Sequence, residues 1–320
     1  MHLLHSLHMS GQANTSLVSE FILLGLSQNP DLHLPLFCLF TGLYIVTLGG
    51  NLLIITLIRT DPRLHKPMYF FLENLSFLDF LLISVTVPKM LDNLVKNKQS
   101  ISFTGCISQI HFYQVFMVAE CFILAIMAYD RYLAICQPLR YPLVMTRCAL
   151  DLLVASCWII GLAYSFAKTT LMLNVVFCGP NVLNSFFCDA PPLFELACSD
   201  TSDLDLFQFT AGVFVGPFPA MTVVVSYIPI IYAIIRIKSA QGRTKTFSTC
   251  ASHLVVVALF YGSGIFSYVI RPRISQQNQM DLVVTVTYAV IAPMLNPFIY
   301  SLRNKEMLCA LKRLFRQKNV

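Results

Sequence analysis

The chain has 320 residues, of which 56% are hydrophobic and 12% charged, and its formal net charge is +6. Soluble domains carry about 25% charged residues, so this composition excludes an ordinary soluble protein. The 22 basic residues are spread over short loops and one tail, which argues against a surface that binds nucleic acid.

Seven apolar runs are long enough to cross a hydrocarbon core of about 30 Å as helices. No stretch alternates apolar and polar residues as the strands of a membrane β-barrel do. The sequence therefore predicts an all-α membrane protein, a bundle of seven transmembrane helices. The predicted spans are 34–58, 68–87, 103–135, 149–170, 206–235, 247–270 and 282–302. Kinks are expected where prolines interrupt the fifth and seventh spans, at Pro217, Pro219, Pro229, Pro293 and Pro297.

The basic residues predict the orientation, because cytoplasmic loops carry an excess of Lys and Arg. Sixteen fall in the first, third and fifth loops and the C-terminal tail, against six in the other loops. We therefore expect a multi-pass plasma-membrane protein with a cytoplasmic C-terminus. Its predicted divisions are an extracellular segment at 1–32, a transmembrane domain at 33–303, and a cytoplasmic eighth helix with a tail at 304–320.

The N-terminal segment has no basic region followed by an apolar one, which argues against a cleaved signal peptide. Asn14-Thr15-Ser16 is a glycosylation sequon within the segment expected outside, where an acceptor is usable. Met9 is an alternative start to Met1. Whether Asn14 is modified stays open.

Four of the 11 cysteines are expected on the extracellular side, where oxidising conditions favour disulfides. Cys106 lies at the outer end of the third span, and Cys178, Cys188 and Cys198 lie in the loop between the fourth and fifth spans. Two disulfides are expected rather than free thiols, and three connectivities are open. No Cys/His cluster has zinc spacing, and no cofactor is predicted.

Ionisable residues inside membrane spans are costly and therefore mark functional candidates. Asp79 lies in the middle of the second span and Glu120 in the middle of the third, and we expect Asn51 and Asn296 to join them in one polar cluster. The cluster is a hydrogen-bonded hub, a proton relay or a site for sodium at Asp79 and Glu120, and the hub is favoured. No internal repeat is visible, which disfavours an alternating-access transporter.

The third span ends in Asp130-Arg131-Tyr132. An acid beside an arginine at the membrane boundary predicts an ion pair that protonation of the acid would release. The alternative is an arginine that merely extends to the interface.

Five motifs stand in order along the chain. They are LHKPMYFFL from Leu64, MAYDRYLAIC from Met127, SY at Ser226, KTFSTCASHL from Lys245 and PMLNPFIYSLRNK from Pro293. Together they resemble the odorant receptors, a vertebrate branch of the rhodopsin-like G-protein-coupled receptors, over about residues 19–315. Lys66 within the first motif is similar to the tetrapod-type class of these receptors.

The resemblance implies roles for residues at the cytosolic end of the bundle. One group would couple to a heterotrimeric G protein, a second would form a switch in helix seven, and a third would line the cleft that opens on activation. These groups are Asp130, Arg131 and Tyr132; Asn296, Pro297 and Tyr300; and Tyr227, Lys245 and His253.

The resemblance also implies the disulfide pairing and the polar cluster. The pairs it implies are Cys106 with Cys188 and Cys178 with Cys198, and Asn51, Asp79 and Glu120 match the family's cluster. The chain departs from the family at Gln114, where helix three commonly carries a histidine, so ligand chemistry does not transfer from relatives.

The outer halves of helices three, five, six and seven are expected to line a ligand pocket. Gln114, Tyr261 and Tyr268 are favoured as polar groups facing it, with Tyr261 as the residue that senses the ligand; for the apolar candidates, packing is an equal alternative. No acid occupies the outer half of helix three, so a small, mostly apolar, volatile ligand is expected rather than an amine. The candidates are Tyr113, Gln114, Met117, Val118, Val215, Tyr261, Ile265, Tyr268 and Thr285.

Acidic residues follow in the second outer loop, among them Asp189 and Asp205, and we expect them to be solvated. Residues 304–315 predict an amphipathic eighth helix with Lys312, Arg313 and Arg316 against lipid headgroups. Acylation of Cys309 is left open.

The resemblance implies an odorant receptor, not an enzyme, that activates a stimulatory, olfactory-type G protein and raises cAMP. The first rival is a receptor for an endogenous lipid or metabolite outside the nose. The second is a small transporter that uses Asp79 and Glu120 as an ion path. The expected partners are an odorant, the G protein and the lipid bilayer, with no nucleic acid. The need for a trafficking chaperone, the odorant and the oligomeric state are open.

Overall fold

The computed structural model describes residues 18–96, 99–178, 180–267, 279–302 and 304–317. Within these residues, seven helices are long and apolar enough to cross a membrane. They are Pro30–Thr60, Pro67–Lys96, Phe103–Cys136, Arg147–Leu173, Ser202–Arg236, Ala240–Ile265 and Leu282–Tyr300. The predicted all-α bundle of seven spans is therefore confirmed. Two residues with predicted roles, Asn14 and Tyr268, lie outside the described residues.

The chain runs through twelve α-helices and three short strands in its described part. In order these are β1 (Glu20–Leu23), α1 (His33–Thr60), α2 (Pro67–Lys96), β2 (Ser100–Ser102), α3 (Phe103–Cys136), α4 (Tyr141–Val144), α5 (Arg147–Leu173), β3 (Val182–Leu183), α6 (Ala190–Phe194), α7 (Ser202–Val215), α8 (Pro217–Ile235), α9 (Ala240–Ile265), α10 (Gln279–Val286), α11 (Ala292–Leu302) and α12 (Lys305–Gln317). Short 3-10 turns at Pro30–Leu32 and Pro62–Leu64 flank α1. The fourth span is α5, the fifth is α7 with α8, the sixth is α9, and the seventh joins α10 to α11.

Side-chain caps and an apolar exterior explain why these segments are helical. Ser102, Thr146 and Ser239 begin α3, α5 and α9, and each accepts a hydrogen bond from a backbone N–H three residues on. The outward side of α8 exposes aliphatic side chains such as Val224 and Ile228. Such an exterior is stable in lipid, where every backbone group must be paired within the helix.

α3 is the central helix and packs against α2, α5, α8 and α9. Its contact with α5 is close because Gly161 faces the backbone of Val115. Ser165 donates to the carbonyl of His111 at 2.7 Å, and His111 Nδ1 lies 3.0 Å from the hydroxyl of Thr169. A small residue and these polar contacts together hold the two helices, as is typical of membrane bundles.

The predicted kinks fall at only some of the prolines. The fifth span is broken at Gly216, immediately before Pro217, whereas α8 is continuous through Pro219 and Pro229. In the seventh span a π-helical turn, Thr287–Ile291, precedes Pro293. A proline lacks the N–H that would bond the preceding turn, which accounts for the irregularity at that position. Both prolines of the seventh span, Pro293 and Pro297, lie within α11.

One end of the bundle carries a small sheet and both disulfides, and we call it the disulfide end. β1 pairs antiparallel with β2 and parallel with β3. Phe21 and Leu23 of β1 are fully buried against the loop that follows α5. The other end, where Arg131 lies, is the Arg131 end.

α12 docks on the turn between α1 and α2 at the Arg131 end. Lys66 Nζ lies 2.7 Å from Glu306, and the hydroxyl of Tyr69 donates to the same carboxylate at 2.9 Å. Arg313 pairs with Asp61. Its guanidinium is thus held by an acid of the same chain, and its contact with lipid headgroups stays a prediction.

Replacing Asp61 with Asn is expected to lower stability by about 0.5–1 kcal/mol near neutral pH, since the ion pair is partly exposed. Burial raises the pKa of Asp61, but the hydrogen bonds and charges of Arg313 and Arg63 outweigh it and hold that pKa below its ordinary value. A lowered pKa in the folded state adds stability above about pH 4, and this is lost as the pH falls through the folded pKa. Thermal unfolding in nanodiscs at several pH values measures this; Asp31→Asn, on an exposed carboxylate, is the control. An equal melting temperature for Asp61→Asn and wild type at neutral pH would contradict the role of the pair.

Candidate ligand cavity and coupling site

A cavity of about 390 Å³ lies in the half of the bundle towards the disulfide end. Helices α2, α3, α5, α7, α8 and α9 and the seventh span form its walls. The lining residues are Leu82, Tyr113, Gln114, Met117, Cys121, Tyr164, Lys168, Asp205, Gln208, Phe209, Gly212, Val213, Gly216, Pro217, Phe260, Tyr261, Gly264, Ile265 and Tyr288. Its volume and mostly apolar wall suit a small organic molecule.

Five of the predicted pocket residues line this cavity: Tyr113, Gln114, Met117, Tyr261 and Ile265. Positions 114, 117 and 121 share one face of α3, because three or four residues make one helical turn.

Val118, Val215 and Thr285 are buried and are not part of this lining, so their contact with a ligand stays a prediction. Val118 follows Met117 and is turned about 100° around the helix axis. Val215 likewise precedes Gly216 by one position and is turned by a similar angle. Tyr268 lies outside the described residues, so its placement is not tested.

Tyr261 and Gln114, two polar side chains of the predicted set, differ in whether they have a hydrogen-bond partner. The hydroxyl of Tyr261 donates to the carbonyl of Cys121 at 2.6 Å and so ties α9 to α3. Gln114 is 1% exposed, and its Oε1 has no hydrogen-bond partner among the described residues. A buried amide without a partner costs about 1–3 kcal/mol, which a polar ligand would recover.

Sequence reasoning missed the polar wall contributed by α5 and α7. Tyr164, Lys168, Asp205 and Gln208 all line the cavity. Lys168 falls within the predicted span 149–170 but was not named as a site residue, and it is 1% exposed within α5. The signal available was its position inside an apolar run, since a charge within a span is costly.

The prediction that the acidic loop is solvated is wrong for Asp189. This residue is 2% exposed and accepts hydrogen bonds from the hydroxyl of Tyr288 at 2.7 Å and from the N–H of Ala190 at 2.8 Å. The carboxylate therefore ties the loop after α5 to Tyr288 of the cavity wall.

The polar cluster occupies the middle of the bundle. Asn296 Nδ2 donates to both carboxylate oxygens of Asp79, at 3.0 and 2.9 Å, and Asn51 donates to the carbonyl of Thr47 at 3.1 Å. Glu120 is 1% exposed, and neither of its oxygens has a hydrogen-bond partner among the described residues. The structure thus brings α1, α2, α3 and α11 together around two buried carboxylates.

The predicted ion pair between Asp130 and Arg131 does not form. Asp130 accepts a hydrogen bond from the hydroxyl of Tyr141 at 2.8 Å, while the guanidinium of Arg131 contacts the sulfur of Met68. Neighbouring residues on a helix point about 100° apart, so adjacency in sequence does not bring the two charges together. Burial and the charge of Asp130 raise the pKa of Tyr141 above its ordinary value, which keeps it a donor.

Arg131 lines a small cleft of about 20 Å³ together with Tyr300. The hydroxyl of Tyr300 and Nε of Arg131 are buried without a hydrogen-bond partner in the described part of the chain. The cleft is too small for a protein segment, so the Arg131 end is closed in this structure.

Contacts between α8 and α9 hold this closed end together. The hydroxyl of Tyr227 lies 2.9 Å from His253 Nδ1, and Nε2 of the same histidine lies 3.2 Å from the carbonyl of Leu124. Tyr132 accepts a hydrogen bond from Gln137 at 2.7 Å. Lys245 lies on α9, and its side chain is outside the described residues.

Comparisons with known proteins cover almost the whole chain. A model of the olfactory receptor family matches residues 37–318. Mouse (Mus musculus) olfactory receptor 8A1 is 48% identical over 305 residues, which are 95% of this chain and 98% of that protein. Human (Homo sapiens) olfactory receptor 8G1 is 46% identical over 98% of this chain and 100% of that protein, and human olfactory receptor 3A1 is 46% identical over 94% and 96%.

The chain belongs to the olfactory receptor family. The resemblance inferred from the five motifs is therefore confirmed. Olfactory receptors are G-protein-coupled receptors with odorant ligands, and they are not enzymes. This olfactory receptor is accordingly a multi-pass membrane protein.

The disulfides of this olfactory receptor join the pairs that the resemblance implies, Cys106 with Cys188 and Cys178 with Cys198. The first ties the start of α3 to the loop after α5, and Gln109 accepts a hydrogen bond from the N–H of Cys188 at 2.8 Å. The loop is thereby held against the start of α3, and Asp189, which follows the bridged cysteine directly, accepts a hydrogen bond from Tyr288 of the cavity wall.

Proposed function

We propose that this receptor binds small, mostly apolar, volatile ligands and activates a stimulatory, olfactory-type G protein, which raises cAMP. The observation that carries the proposal is the cavity of about 390 Å³, walled largely by aromatic and aliphatic side chains. The cleft at Arg131, at the opposite end, is closed, and its opening would give the second state that a switch needs.

The proposed orientation has the N-terminus outside the plasma membrane and the C-terminus in the cytoplasm. The excess of basic residues at the Arg131 end supports it, and disulfides at the other end fit an oxidising compartment. We assign 1–32 to the extracellular segment, 33–303 to the receptor domain, and 304–320 to helix eight and the tail. Asn14 is then a glycosylation acceptor on the outside.

The proposed mechanism is a shift of population between two receptor states that differ in the position of α9. Tyr261 contacts the cavity, and His253 lies about two turns further along the same helix, where it bonds to Tyr227 and Leu124. A ligand that prefers an outward position of α9 favours breaking these contacts and opening the cleft around Arg131. Its effect equals its difference in affinity for the two states. Asp130, Tyr132, Lys245, Pro297 and Tyr300 complete the proposed coupling surface.

We infer that the polar cluster is a hydrogen-bonded hub present in both the closed and the open state. Its members are Asn51, Asp79, Glu120 and Asn296. Two carboxylates buried together require a proton or a cation between them, and the amide of Asn296 already serves Asp79. A bound sodium ion is the alternative to a shared proton. A melting temperature that rises with sodium but not with a bulky organic cation would support the ion.

Two rival functions give different results. A receptor for an endogenous lipid or metabolite would signal in the same way but be expressed outside the nose. An ion-coupled transporter would give sodium-dependent flux in liposomes. Such flux would contradict the proposed function.

We expect cAMP to rise in cells that express this chain with the olfactory-type G protein and receive a chemically diverse odorant panel. Gln114→Ala is expected to change the half-maximal concentrations of the active odorants by about tenfold relative to one another, because it removes a polar group from the cavity wall. Thr222→Ala is the control and leaves these concentrations unchanged, because Thr222 does not line the cavity and its hydroxyl bonds only within its own helix. Silence across the panel with proven surface expression would contradict the odorant-receptor proposal.

A further inference from the structure

We propose that Lys168 and Gln208 form a polar pair in the cavity wall that selects odorants carrying a hydroxyl group. The inference rests on the proposed function and names the ligand class of that same cavity. It requires one group that accepts a hydrogen bond from Lys168 and donates one to Gln208.

Lys168 is a buried donor without a hydrogen-bond acceptor. It lines the cavity, is 1% exposed, and has no hydrogen bond or ion pair with any described residue. Its one described contact is the ring of Phe194, whose centroid lies 5.7 Å from Nζ. An ammonium group has three N–H donors, and a cavity that offers them no acceptor leaves them for a ligand.

Gln208 is the complementary group on α7. Its Oε1 is buried and has no partner among the described residues. The rings of Tyr164 and Phe207 lie 5.4 Å apart, so α5 and α7 touch at this level. From this contact Lys168 lies one turn along α5 towards the disulfide end, Gln208 lies one position along α7 in the opposite direction, and both line the same cavity.

The acids around Lys168 exclude an anionic ligand. Asp189 attracts Lys168 electrostatically from the loop after α5, and Asp205 lines the same cavity from α7. Asp189 already accepts hydrogen bonds from Tyr288 and Ala190, and Asp205 accepts one from Thr201 at 2.9 Å. The lysine charge is thus balanced without contact, and a carboxylate ligand would meet two acids of like charge.

Only a hydroxyl among the common odorant groups satisfies both partners. A carbonyl or an ether accepts from Lys168 but leaves the oxygen of Gln208 unpaired. An amine in its ammonium form has no acceptor and therefore cannot take a hydrogen bond from Lys168. A hydroxyl both accepts and donates, and the aromatic and aliphatic remainder of the wall, including Met117, Phe209 and Phe260, receives the apolar part of the molecule.

The test compares alcohols with ethers and hydrocarbons of the same size in the cAMP assay. The probes are heptan-1-ol, cyclohexylmethanol and 2-phenylethanol, each with its matched ether and hydrocarbon. We expect at least one alcohol to act at about tenfold lower concentration than its ether, since a buried acceptor is left unpaired by the ether. Full-length receptor at the cell surface is used throughout.

Two variants separate the donor from the acceptor. Lys168→Met is expected to raise the half-maximal concentration about tenfold for both alcohol and ether, whereas Gln208→Leu raises it for the alcohol alone. Lys89→Met is the matched control, because Lys89 pairs with Asp92 at 3.1 Å and does not line this cavity. Lys168→Gln retains a donor and is expected to keep the preference for the alcohol.

Equal potency of alcohols and ethers at the wild-type receptor overturns the inference, as does an alcohol response that Gln208→Leu leaves unchanged. This comparison at the wild-type receptor decides even if Lys168→Met fails to reach the surface. A receptor that answers other odorants but no alcohol overturns the inference and leaves the proposed function intact. A receptor that answers nothing contradicts the proposed function itself.

Discussion

Replacing Arg131 with alanine is expected to abolish ligand-dependent cAMP production, with a loss of about 100-fold or more in the response. Arg131 contacts Met68 and lines a closed cleft, and its Nε is buried without a hydrogen-bond partner among the described residues. An arginine held in this way has donors available for a partner that enters when the cleft opens. A buried charge-assisted contact of this kind contributes several kcal/mol to binding.

The matched control for this substitution is Arg140→Ala. Arg140 is exposed at the same end of the bundle. Its substitution removes the same charge and therefore separates a specific role of Arg131 from the effect of a change in net charge. Surface expression and binding of a fluorescent odorant are expected to stay within about twofold for both variants. If Arg131→Ala reached the surface and still signalled like the wild type, the coupling role of Arg131 would be refuted.

The fold was predictable because each membrane span is marked by the apolar composition of one continuous segment of the sequence. A span needs about 20 apolar residues, and every span in the structure contains such a run. The eighth helix followed from its amphipathic pattern. The strand Glu20–Leu23 did not, since its partners lie about 80 and 160 residues away and four residues carry too little periodicity.

The candidate site was predictable only where helical phase alone decides it. Gln114 and Met117 face the cavity as expected, but Val118 does not, and a one-residue error in phase turns a side chain by about 100°. Lys168 was missed because its burial depends on α7 and on the loop that carries Asp189. The contact of Asp130 with Tyr141 likewise depends on how α4 folds back.

Replacing Gly161 with alanine is expected to destabilise the receptor by about 1–3 kcal/mol. A Cβ at this position would lie 2.6 Å from the carbonyl oxygen of Val115, which belongs to backbone and cannot rotate away. α5 must therefore move from α3, and the contacts of His111 with Ser165 and Thr169 lengthen. Both helices also line the cavity, so odorant potency is expected to fall together with the melting temperature.

Gly49→Ala is the control that isolates this clash. Gly49 lies in α1 with no atom within 4 Å of its added Cβ, and it faces outward. Both substitutions bring the same gain in intrinsic helix propensity, about 1 kcal/mol, so their difference measures the α3–α5 contact alone. Thermal unfolding of the purified variants in nanodiscs gives this difference. A melting temperature of Gly161→Ala equal to that of Gly49→Ala would mean that α3 and α5 are further apart than the contact with Val115 requires, and the cavity wall formed by Gln114 and Tyr164 would then have to be redrawn.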